Sequence, residues 1–85
     1  MDYEALGRYT AELERVRAAQ YRRNALLHNL GVAAARTAAD GRRFDFAEAR
    51  SLLAGAEAAD AELRQATDAV NRAAERCGKP PVRVE

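Results

Sequence analysis

The sequence has little of what staples a small protein together. Its one cysteine, Cys77, cannot close an internal disulfide, and its one histidine, His28, leaves any structural zinc short of ligands. Tryptophan and isoleucine are absent, and aromatic residues make up 6% of the chain, so sheets have few of the residues they favour. The two prolines, Pro80 and Pro81, are adjacent and near the end. Neither sign of charge prevails: 14 basic side chains face 13 acidic ones, for a net charge of +1, which removes the bulk electrostatic case for a polybasic nucleic-acid binder. The longest stretch without a charged residue, Asn24 to Ala35, falls short of the roughly 20 residues that cross a bilayer. Met1-Asp2-Tyr3-Glu4 is also the wrong start for a secretory leader. These absences predict a soluble, cytoplasmic chain with no membrane partner.

Alanine fills the space. It supplies about a quarter of the sequence, and arginine outnumbers lysine heavily; both alanine and arginine are strong helix formers. The depletion of lysine and isoleucine suggests GC-rich coding, hence a bacterium or its phage. At 85 residues the chain is one domain at most, and it buries only about 60–65% of its unfolded surface.

Helix signals come in two sets. Asp2 can cap a helix starting at Tyr3, and Ala39-Asp40-Gly41 ends it, glycine suiting the left-handed position after a helix. Asp45-Phe46-Ala47-Glu48 reads as a capping box led by an acid. Gly78 and the prolines that follow stop the second helix at Cys77. The expected organisation is a helical hairpin over 1–78, with helices at about 3–39 and 46–77 and a turn at 40–45, followed by an extended tail over 79–85.

Heptad stepping sets the expected packing. Ala49, Leu52, Ala56, Ala59, Leu63, Ala66, Val70, Ala73 and Cys77 alternate steps of three and four without a polar interruption. The same stepping in helix one gives Leu6, Tyr9, Leu13, Val16, Gln20, Arg23, Leu27, Leu30, Ala34 and Thr37, with faults only at Gln20 and Arg23. Folding at residue 43 pairs positions whose numbers add to 86, and large residues then meet small ones in most layers. The fold class is therefore all-α: an antiparallel two-helix coiled-coil hairpin, expected to dimerise into a four-helix bundle. The competitor is a break near Gly31, giving a three-helix bundle.

Helix one carries a second apolar ladder, Ala18, Tyr21, Ala25, His28, Val32, Ala35 and Ala39, and Leu26, Phe46 and Leu53 flank the hairpin. One partner helix cannot cover both ladders. Expected partners are a second copy of the chain and a larger protein complex, reached through Tyr21, Ala25, His28, Val32 and Ala35 or through the turn, where Arg42-Arg43-Phe44-Asp45-Phe46 combines arginine with aromatics. The plainer account of the turn has Phe44 stapling helix two and Phe46 packing on Leu53.

Nothing in the sequence builds a catalytic or metal centre, and no cofactor is expected. Ser51 is the only serine, and nothing places it near His28; Cys77 occupies a seam position suited to a small apolar role. Glu57 is expected to lie across from His28 and hold its ring, which could make docking sensitive to pH. Arg23 is expected beside Glu57, Asp60 and Glu62 as an ion-paired layer that fixes register. Arg8, Arg15, Arg22 and Arg36 share one line, and with Arg23 they could follow a phosphate backbone. Glu4 and Glu12 stand at ion-pairing distance from Arg8 and Arg15, however, which favours a solvated face. Val82 and Val84 alternate with charges and could add a strand to a partner's sheet, though such a tail is commonly loose. The sequence reading is thus a non-catalytic protein-binding module, an adaptor or inhibitor on a larger bacterial or phage-targeted complex. The alternatives are a nucleic-acid-binding helical protein and a structural assembly subunit.

Overall fold

In the computed structural model, which describes residues 2–84, the chain is a hairpin of two helices, α1 (Tyr3–Asp40) and α2 (Phe46–Cys77), and measures 59 × 18 × 14 Å. The end signals work as local chemistry requires. Asp2 accepts the Ala5 amide and Asp45 the Glu48 amide, each at 3.0 Å. The return arm of the capping box, from Glu48 to the Asp45 amide, does not form among the described residues. Gly41 and Gly78 take left-handed backbones, φ 65° and 75°, and their amides close onto the carbonyls of Thr37 and Ala74.

α1 passes through Gly31 unbroken, so the three-helix alternative fails. A single helical glycine costs about 1 kcal/mol relative to alanine, too little to break a long helix that packs along its length on another.

α2 packs as its heptads predict: Ala56, Ala59, Leu63, Ala66, Val70 and Ala73 are buried, with Ala49, Leu52 and Cys77 half-buried at the ends. α1 is turned relative to expectation. Tyr9, Leu13, Val16, Arg23, Leu30 and Thr37 keep their inward places, but the layers at Leu6, Gln20, Leu27 and Ala34 move by one residue. Ala5 and Ala19 are buried where Leu6 and Gln20 were expected, and Leu26 and Ala33 are half-buried while Leu27 and Ala34 are exposed. The cause is the partner: an alanine-rich α2 brings the backbones close, and close backbones accept alanine in the seam and push longer side chains to its edges.

The register shifts as well. Leu26 packs on Gly55, and Arg23 reaches Asp60 at 2.9 Å, so facing numbers add to 81–83 and not to 86. α1 therefore overhangs α2 by about one turn at the tip, and residues 41–45 descend beside it. At the other end Arg76 bonds Asp2 at 2.9 Å, tying the start of α1 to the end of α2.

The tail is extended but not loose. Val82 donates its amide to Asn71 Oδ1 at 2.7 Å and accepts from Asn71 Nδ2 at 3.1 Å. Val82 and Val84 pack against the cluster of Val16, Ala19, Leu63, Ala66 and Val70, while Arg83 between them is exposed. The alternation read as a strand for a partner's sheet serves here to cover the edge of the molecule's own thin seam.

Candidate protein-docking surfaces

The apolar residues left outside fall on two separate faces. Tyr21, Ala25, His28, Val32 and Ala35, spaced by three and four, form one ridge on α1. Tyr21 is 78% exposed, His28 and Ala35 are exposed, and Ala25 and Val32 are half-buried. His28 has no hydrogen bond or ion pair among the described residues, and Glu57 belongs to a different face, so the expected His28–Glu57 contact does not form.

The second face is a groove between the helices. Leu27 and Leu53, 44% and 45% exposed, border it over the buried Ala56, and Glu57 and Arg64 stand on its rim. Phe46, one heptad before Leu53, continues this side of α2 and is 66% exposed. The sequence reading named Phe46 and Leu53 but assigned Leu27 to the core. Leu26 and Leu27 fit the three-four stepping equally well, and the contact of Leu26 with Gly55 leaves Leu27 on the rim.

Across the middle of the groove runs an ion-paired bar. Asp60 accepts from Arg23 at 2.9 Å and from Arg64 Nε at 3.0 Å, and these guanidiniums, Arg23 first, hold its carboxyl below the ordinary carboxylate range. The expected charged layer is therefore present, with Asp60, of the three carboxylates expected, pairing with Arg23. On one side of the bar the tail fills the groove: Val84 borders the same concavity as Arg23, Asp60, Leu63 and Thr67. On the other side the groove lies open at Leu27 and Leu53.

The turn divides in a similar way. Phe44 is half-buried in a concavity shared with Val32, Ala33 and Arg36, and it meets Phe46 edge to face, centroids 4.9 Å apart. Arg42 and Arg43 are exposed, Arg42 lying 3.6 Å from Asp40. Phe46 itself is 66% exposed.

The arginine line is partly neutralised. Arg8 lies 4.0 Å from Glu4, and Arg15 lies 2.6 Å from Glu12 and 3.7 Å from Glu62, so it also bridges the helices. Arg22 and Arg36 are exposed and form no ion pair among the described residues. Chemistry-bearing residues do not converge: His28 is on the outer ridge of α1, and Cys77 lies at the far end of α2. Among the described residues no three metal-ligating side chains gather, and no helix is long and apolar enough to cross a membrane. No protein-family model matches this chain, and no curated protein or solved structure is significantly similar to it.

Proposed function

We propose that this chain is a non-catalytic protein-binding module, a cytoplasmic adaptor or inhibitor of bacterial or phage origin, which pairs with a second copy and docks on a larger protein through an exposed helical face. One observation carries the reading: five large apolar side chains stand outside a seam built mostly of alanine. Tyr3, Tyr21, Leu27, Phe46 and Leu53 are 44–79% exposed, whereas among the described residues the buried seam is alanine apart from Val16, Leu63 and Val70. The exposed five fall on the α1 ridge and on the groove face, and exposed apolar patches with polar groups at the rim are the usual mark of protein-interaction sites. The ridge from Tyr21 to Ala35 suits a larger partner, because it presents an aromatic anchor on a row of small residues along a rigid helix.

A photo-crosslinking residue at Tyr21, in cells that make the protein, tests this. The expected result is one discrete adduct with another protein, lost when Val32→Glu is added. Adducts formed equally from Tyr21 and from an exposed site off the ridge such as Arg72, or none except with a second copy, would overturn it. Nucleic-acid binding has less support, since Arg8, Arg15 and Arg23 are engaged by carboxylates. A salt-dependent shift of short DNA or RNA, weakened by Arg22→Ala and Arg36→Ala, would favour it instead.

A further inference from the structure

We infer that a second copy of this chain docks in the open half of the interhelical groove, antiparallel, with its α2 crossing over the first α2 beside Leu53. This rests on the pairing in the proposed function and adds its face and geometry.

Three observations converge on this occupant. The first is area. The chain exposes 6155 Å², whereas a compact monomer of 9.3 kDa exposes about 5,000 Å². The excess, roughly 1,200 Å², belongs to the rod shape of 59 × 18 × 14 Å and is enough to supply the 800 Å² or so that each partner buries in a standard interface. The second is the tail. It fills the groove from the Cys77 end as far as Val84, at the Asp60 bar, and leaves only the tip half bare. An antiparallel overlap of two tip halves uses that half and leaves both tails in place.

The third is charge. Arg50 and Glu57, seven residues apart on one line of α2 and either side of Leu53, are exposed and have no ion-pair partner among the described residues. Around a twofold axis beside Leu53, Arg50 of each copy meets Glu57 of the other, so the patch is complementary to itself, as a twofold interface must be. On α1 the exposed Gly31 and Ala34, four and seven residues beyond Leu27, leave room for the leucine of the other copy.

Sedimentation equilibrium of the full chain tests the inference. The wild type is expected at twice 9.3 kDa. Leu53→Glu and Leu27→Glu should return it to the monomer with helicity by circular dichroism unchanged, and Tyr21→Glu should leave the dimer intact. Arg50→Glu alone and Glu57→Arg alone should each weaken the dimer on the order of tenfold, and the two together should restore it. A wild type that stays monomeric to about 100 μM overturns the inference and the pairing with it. A dimer insensitive to Leu53→Glu and to the charge reversals, yet broken by Tyr21→Glu, refutes this face while self-association stands.

Discussion

Leu26 rests on Gly55, so closely that a Cβ at position 55 would stand 3.1 Å from Leu26 Cδ1. This contact turns α1, because a helix that points Leu26 at its partner cannot also point Leu27 there. The rotation makes Ala19 a core residue and Gln20 an edge residue. Ala19→Leu should therefore overpack the seam and cost about 1–3 kcal/mol, a fall in Tm of several degrees or more by circular dichroism. Gln20→Leu should stay within about 0.5 kcal/mol of wild type. The opposite ranking would mean that α1 faces α2 with the residues that heptad stepping chose.

The difference shows what the sequence could and could not convey. Helix ends were legible to within one residue, because Asp2, Gly41, Asp45 and Gly78 act on their immediate neighbours. The seam of α2 was legible because every step of its ladder lands on an apolar residue. In α1 both Leu26 and Leu27, and both Ala33 and Ala34, satisfy a ladder of threes and fours. The choice between them rests on how near the alanine-rich α2 can come, which is a property of the pair. The Asp60 bar was legible, since Glu57, Asp60 and Glu62 were the carboxylates within reach of Arg23, and the register selects Asp60 among them. The tail's place was illegible: Val82 and Val84 announce a surface to cover, but not whose.

Asn71 is the clamp that holds the tail, since its amide meets both the N–H and the C=O of Val82. Asn71→Ala removes two hydrogen bonds and should cost about 1–3 kcal/mol. Amide exchange gives the sharper readout. The Val82 amide should lose its protection while the amides of α2 around Val70 keep most of theirs. Unchanged protection at Val82 would show that the valines alone hold the tail.

Glycines at two kinds of position should respond in opposite directions. Gly7 lies within α1, exposed, with no atom near the place of a Cβ, so Gly7→Ala should stabilise the hairpin by about 0.5–1 kcal/mol through helix propensity. Gly41 has equally open surroundings but a φ of 65°, so Gly41→Ala should destabilise by about 1 kcal/mol through backbone strain. For a chain of this size 1 kcal/mol moves Tm by about 4–8 °C, enough to separate the two in thermal melts. A rise in Tm for both would mean that the turn leaves its left-handed state at no cost.

Acid should loosen the hairpin where the two helices are tied by charge. The Ala5 amide, with Arg76 beside it, lowers the Asp2 carboxyl, and Arg23 and Arg64 lower that of Asp60, both from an ordinary value of 3.8. A carboxyl depressed in the folded state binds its proton more readily in the unfolded chain. Its stabilising contribution is complete above 3.8 and disappears as pH falls through the lower folded value. Thermal melts of wild type and Asp60→Asn across the acid range should show the wild type ahead at neutral pH, and the gap should close below 3.8. Surface exposure and salt screen these charges, so the gap should also narrow as ionic strength rises. A gap that is constant with pH would assign the advantage of Asp60 to packing and not to its charge.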